Sequence, residues 1–262
     1  MRKVLVPVME WLPAMGIVVT ILVGWEIFVR VWNIADWLLP SPSAIGYTLY
    51  DSSGLLAGHT LVTLEEVVLG FVLALVSGML LASAITLSKT IEKALYPFII
   101  ASQTVPIIVI APMLLVWIGY GLTPKIIVVA LISFFPIVVN TVDGMRSVDS
   151  DMHKMMRTMG GNRWSIFLKV QLPVSMPYLF SGLRVAIAVS VIGAVIGEWV
   201  GSSEGLGYLM IRSKSQFQTE RVFAAITILS VMGIALFALI GLLERLLIPW
   251  WHKEREGRPR IS

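Results

Sequence analysis

Between residues 67 and 88, and again between 222 and 243, the chain runs without a single charged side chain. A helix of roughly 20 apolar residues crosses the hydrocarbon layer of a bilayer. Two such runs in one chain leave little room for a water-soluble core. The composition agrees. Hydrophobic residues make up 57% of the 262 and charged residues only 14%, against roughly 25% charged in soluble domains. The chain is therefore read as an all-α integral membrane protein.

Six candidate spans emerge: 12–32, 61–87, 94–119, 124–145, 174–200 and 222–248. The basic start and long apolar run of the first exceed a cleavable signal, and no clear cleavage site follows, so it is read as a retained span. Glu26 and Arg30 stand four apart there and can pair on one helix face. The third span is interrupted by Pro97, Pro106 and Pro112, and the fourth contains Pro136. Residues 44–56 suggest either a short interfacial helix or an ordered loop. Six spans put both termini on one side. With that side cytoplasmic, fourteen of the twenty lysines and arginines fall at inner ends, as the positive-inside rule requires. The whole chain, 1–262, forms one transmembrane domain, with 146–173 as its longest inner segment.

Several chemistries are excluded. The net charge of +4 suits the cytoplasmic face of a membrane protein, so nucleic acid is not a partner. Cysteine is absent, which removes disulfides and thiol chemistry. No G-x-x-x-x-G-K-[ST] string exists to cradle a nucleotide phosphate; the nearest glycine-rich run, GSSEGLG at 201–207, lacks the lysine. His59, His153 and His252 are far apart, and no metal, cofactor or catalytic constellation is expected.

The inner segment reads as an elbow of two helices. Ser150 and Asp151 can cap the first. Met152, Met155, Met156 and Met159 then recur at helical spacing, with His153, Lys154 and Arg157 off that stripe. Gly160-Gly161 stops the helix, and Asn162 caps a second in which Trp164, Phe167 and Leu168 share a face. Pro173 marks entry to the fifth span. By spacing alone the methionine stripe either packs on the chain's own helices or docks on a partner.

Membrane-embedded polar groups are functional candidates. Ser102, Gln103, Thr104 and Pro106 in span three, Asn140 in span four and Glu198 near the outer end of span five are the candidate pathway or gate residues. Arg184 either pairs with a carboxylate on another helix or snorkels inward. Glu65 and Glu66 are read as interfacial.

DSDMHKMMRTMGGNRWSIFLKVQLP at 149–173 resembles the EAA loop of type I ABC importer permeases, with Gly160 and the VQLP ending in the matching places. LPSPSAI at 39–45, QTVPIIVIAPMLLVWIGYG at 103–121, SFFPIVVNTVDGMRSVD at 133–149 and GEWVGSSEGLGYLM at 197–210 extend the likeness to the nitrate, sulfonate, taurine and thiamine-precursor subgroup. The resemblance implies a six-span permease with both termini cytoplasmic in a bacterial inner membrane. It also implies a coupling segment centred on Asp151, Met152, Lys154, Met155, Met156, Arg157, Met159, Gly160 and Pro173. Expected partners are cytoplasmic ABC ATPase subunits, an extracytoplasmic substrate-binding protein, a second permease copy and membrane lipid. ATP hydrolysis would belong to the ATPase. The substrate would be a small organic anion (sulfonate, nitrate or taurine) or a thiamine-pyrimidine precursor. One departure is Lys154-Met155-Met156 where the family usually carries glutamate-alanine-alanine. An ion-coupled secondary transporter is the alternative, opposed by the elbow and by the lack of an inverted repeat.

Overall fold

The computed structural model describes residues 2–251, with side chains from 13 onward. Every described element is helical: α1 (Arg2–Val31), α2 (Pro42–Asp51), α3 (Ser53–Leu87), α4 (Lys89–Ser102), α5 (Ile107–Ile118), α6 (Leu122–Arg146), α7 (Ser150–Thr158), α8 (Arg163–Ile166), α9 (Leu172–Gly201), α10 (Leu206–Ser215) and α11 (Thr219–Leu247). Five stretches are long and apolar enough to cross a membrane, or six when α4 and α5 count as one broken span.

The packing decides that count. Glu66 meets Lys125, Gly70 meets Val129, Gly78 meets Ile137 and Thr86 meets Met145. Each pair is 59 residues apart, as both side-chain hydrogen bonds between these helices record. A constant offset means that α3 and α6 run parallel. The chain leaving α3 at one end must therefore return to the other before α6 begins, and only α4 and α5 lie between. Together they make the crossing.

That crossing is more sharply broken than the proline-interrupted span expected at 94–119. It begins earlier, at Lys89, and α4 and α5 meet at a bend of 103°. Pro97 and Pro112 sit inside their helices, and Pro106 caps α5. A proline ring disfavours helical conformation at the preceding residue and lacks an N–H to donate. The four residues of the break turn instead through bonds from Thr104 N–H to Ala101 O and Val105 N–H to Ser102 O.

α9 runs antiparallel to α6 on its other side. Gly197 faces Lys125, Gly193 faces Val129, Gly182 faces Pro136 and Asn140, and Ser175 and Tyr178 face Gly144. Small residues let helix backbones approach closely in a membrane, where no hydrophobic effect drives helices together. The closeness is concrete at Gly182, where a Cβ would stand 2.7 Å from the Pro136 carbonyl oxygen. α6 is thus the central rod. Val67 and Phe71 of α3, Val129 and Ile137 of α6, and Leu183, Ala186 and Ile187 of α9 are buried in one cluster.

α1 stands apart, with most of its side chains from 13 to 31 exposed. The expected Glu26–Arg30 pair forms at 2.6 Å, and Glu26 also accepts from Ser43 N–H and Oγ, which ties α1 to α2. α2 ends at Asp51, so the helix expected at 44–56 is shorter and starts earlier. Pro42 opens it, and the Ser41 hydroxyl accepts the Ala44 N–H. The second span starts at Ser53 rather than 61.

Two elements escape the sequence reading. α10 is a helix in the stretch between the fifth and sixth spans, where the spacing suggests no element. The second elbow helix is also no separate rod, because α8 runs on through a π turn at Phe167–Gln171 into α9. Pro173 lies in the first turn of α9. The wider π turn, in which Leu172 N–H reaches Phe167 O, keeps the helical path continuous just before a ring that would clash in a regular one.

Candidate functional site

One end of the bundle carries the ends of α3 and α6, the start of α9, and the elbow. α7 is capped at both ends by its own sequence. Asp149, not Ser150 or Asp151, is the N-cap, and its carboxylate accepts the Asp151 N–H at 2.9 Å. At the C-terminus Gly160 takes φ +82°. Gly160 N–H bonds Arg157 O, and Gly161 N–H bonds Met156 O at 2.8 Å. These two bonds form a Schellman closure, and the left-handed residue it needs is glycine here. The Asn162 side chain accepts the Ser165 N–H at 2.8 Å, as its predicted N-cap role requires.

The methionine stripe splits. Met156 is half-buried beside half-buried His153, whereas Met152, Met155 and Met159 are exposed, Met159 by 75%. Three of the four thioethers therefore leave about half or more of their surface uncovered by this chain. Lys154 forms an exposed i,i+3 pair with Asp151 at 2.9 Å, which stabilises little and leaves the ammonium available. Arg157 is also exposed. On the second half of the elbow, Trp164 stacks on Phe167 with ring centroids 5.4 Å apart; Phe167 is buried while Trp164 and Leu168 are exposed.

The candidate pathway residues do not gather in one place. Ser102, Gln103, Thr104 and Pro106 occupy the α4–α5 break, and all four are exposed. Ser102 Oγ donates to Ile99 O at 2.9 Å and Thr104 Oγ1 to Ala101 O at 2.7 Å. Asn140 lies instead at the α6–α9 contact, where its amide donates to Pro136 O at 2.8 Å and its Cβ faces Gly182.

Glu198 lies at the end of the bundle opposite α7 and is 1% exposed. Thr63 Oγ1 donates to it at 2.6 Å, and Gly207 N–H donates to its other oxygen. Thr63 Oγ1 in turn accepts Leu206 N–H at 2.8 Å, and His59 Nδ1 accepts Gly205 N–H at 3.0 Å. The start of α10 is thus held to α3 and α9 by three bonds, and the Thr63–Glu198 bond joins those two helices beneath it. Gly205, at φ +108°, has room for no Cβ because the Glu198 carboxyl fills that space. Beside this lies Glu66, which is not interfacial as expected but fully buried. Its carboxyl lies against that of Glu198 and accepts from Lys125 Nζ at 2.7 Å. Lys125 also donates to Ser202 Oγ at 2.7 Å. Buried ionised groups are tolerated when paired and hydrogen-bonded in this way. Spacing gives no sign that Thr63, Glu66, Lys125 and α10 form one unit; what foreshadows it is a lysine and a glutamate each a few residues inside an apolar run. Arg184 takes the first of its two expected courses and pairs with Glu244 of α11.

The candidate coupling segment and the buried polar cluster therefore cap opposite ends of one parallel–antiparallel helix set. His252, one of the three dispersed histidines, lies outside the described residues.

Solved structures share this fold. A chain of the MetNI methionine ABC transporter in an inward-facing conformation superimposes with a TM-score of 0.67 at 16% identity, over 75% of this chain and 97% of that one. Sequence relatives reach further. The formylaminopyrimidine transport permease protein ThiX of Halalkalibacterium halodurans is 40% identical over 89% of this chain and 94% of its own length. The riboflavin transport system permease protein RibX of Chloroflexus aurantiacus is 39% identical over 92% and 91%. Other relatives are named as permeases for aliphatic sulfonates, taurine and nitrate. Residues 70–249, which hold α6, the elbow, α9 with Glu198, and α10, match the family described as the inner membrane component of binding-protein-dependent transport systems. The chain is a member of that family, a multi-pass inner-membrane permease subunit of an ABC importer whose ATPase is a separate polypeptide.

Proposed function

We propose that two copies of this chain pair to enclose a translocation pathway, and that α7 faces the cytosol and docks on the ATPase. The observation that carries the docking reading is the exposure of Met152, Met155 and Met159 on a helix already capped at both ends. Thioether side chains are flexible and polarisable and repack readily against a partner surface. Around them Lys154 and Arg157 offer positive charge, so the ATPase groove is expected to carry carboxylates opposite Lys154. The positive-inside distribution supports a cytoplasmic elbow and cytoplasmic termini, with lipid against the outward faces of the bundle.

Within a pair, the exposed residues Ser102, Gln103, Thr104 and Pro106 line the pathway near its middle, where broken helix backbone is tolerated only against protein or water. Glu198 acts at the outer end as a latch holding α10 to α3. Asn140 shapes the Pro136 region of α6 and does not touch the transported molecule. ATP binding in the partner moves α7 and Gly160, and the motion passes through the continuous α8–α9 rod and Pro173 into the spans.

For the substrate, two of the relatives near 40% identity, one named for formylaminopyrimidine and one for riboflavin, favour a nitrogen heterocycle of the thiamine-pyrimidine kind over a sulfonate. The test is reconstitution with the ATPase and the binding protein in proteoliposomes, followed by uptake of labelled formylaminopyrimidine. ATP-dependent accumulation is expected. Accumulation driven by a proton or sodium gradient without the ATPase would establish the secondary-transporter alternative instead.

A further inference from the structure

At the end of the bundle that carries α7, a cavity of about 230 Å³ is walled by Thr86 and Lys89 at the α3–α4 junction, His153 and Arg157 of α7, Arg163 of α8 and Gln171 of the π turn. Two guanidinium groups, an ammonium and an imidazole thus border one small space. No carboxylate lines it. The neighbouring acids are engaged elsewhere: Glu92 holds Arg146 at 2.6 Å, and Asp151 holds Lys154 at 2.9 Å. Lys89, Arg157 and Arg163 enter no ion pair among the described residues.

Cations gathered without a counter-charge repel one another, and an anion between them relieves that repulsion. Guanidinium forks match the oxygens of phosphate in a bidentate way, and lysine adds a point charge. Lys89 also opens α4, so the positive end of that helix dipole adds to the field. The volume falls below the roughly 300–1,000 Å³ of pockets that bury drug-sized ligands, which suits a single charged head rather than a whole metabolite. The cavity lies where α3, a helix long and apolar enough to cross a membrane, ends.

We propose that this cavity binds a phosphate group, carried either by an anionic phospholipid or free in solution, and that the bound phosphate ties the elbow to the α3–α4 junction. The lipid source rests on the cytoplasmic placement of α7 given above; the phosphate chemistry does not.

The test uses the full-length protein in nanodiscs of phosphatidylcholine containing phosphatidylglycerol, with retained lipid read by native mass spectrometry. The wild type is expected to retain phosphatidylglycerol. The double variant Arg157→Gln/Arg163→Gln is expected to retain it at least about tenfold less, each lost charge-assisted contact being worth roughly that factor. Arg212→Gln/Lys214→Gln removes the same charge from α10 at the opposite end and should retain lipid like the wild type. In phosphatidylcholine alone, inorganic phosphate should raise the unfolding temperature of the wild type but not of the double variant if the ligand is the free anion. Should the double variant not purify, Lys89→Gln carries the same expectations. Lipid retention and phosphate stabilisation that are equal in all variants, or an equal loss in the α10 control, would overturn the proposal. Neither readout needs the ATPase, so failure of the docking reading leaves this result separate.

Discussion

Glu66 and Lys125 close a 2.7 Å ion pair between α3 and α6, with the Glu66 side chain wholly buried. Removing one partner of such a pair leaves an uncompensated buried charge, at a cost of about 3–5 kcal/mol. Lys125→Met is therefore expected to lower the thermal unfolding temperature in detergent by many degrees. The double variant Glu66→Gln/Lys125→Met should recover most of the loss, because no charge is left unpaired. An additive double variant would show that the two residues do not act as a pair.

The contact of α6 with α9 makes a second prediction. A Cβ on Gly182 would meet the Pro136 carbonyl oxygen at 2.7 Å and Asn140 Cβ at 2.9 Å, whereas one on Gly233 would meet Val191 at 3.9 Å. Gly182→Ala should destabilise by about 1–3 kcal/mol through overpacking, and Gly233→Ala should be close to neutral. Comparison of their unfolding temperatures checks this, and equal values would contradict the packing described.

Gly160 closes α7 at φ +82°. Left-handed conformation is strained for residues with a Cβ, least so for asparagine. Hydrogen exchange of the 150–158 amides should therefore be slowest in the wild type, intermediate in Gly160→Asn and fastest in Gly160→Ala. No change between the three would mean that the closure contributes nothing to the order of the elbow.

How far residues alone foretell this arrangement varies with the range of the interaction. The apolar runs, the Glu26–Arg30 pair and the Asn162 cap are local, and each is found where spacing puts it. Pro106 announces a break but not its 103° angle, because the angle depends on where α4 and α5 pack. Glu66 reads as interfacial until α6 is known to run parallel to α3 at an offset of 59, which sets Lys125 against it. α10 hides because much of what anchors it comes from elsewhere: its first N–H groups are held by Thr63, His59 and Glu198. The methionine stripe was legible as a stripe. Its division into half-buried Met156 and exposed Met152, Met155 and Met159 depends on how the elbow folds against the rest of the chain, which no spacing records.

The central claim is that the exposed face of α7 meets the ATPase. Because the chain contains no cysteine, Met155→Cys provides a single thiol with no background. Cross-linking in the assembled transporter with a short bifunctional thiol reagent, against cysteines placed in turn around the ATPase groove, is the most direct measurement. The account predicts a permease–ATPase adduct from Met155→Cys, and none from a cysteine placed at Gly201 at the opposite end. Failure of Met155→Cys to link to any ATPase position, while the assembled transporter still hydrolyses ATP and takes up substrate, would contradict it.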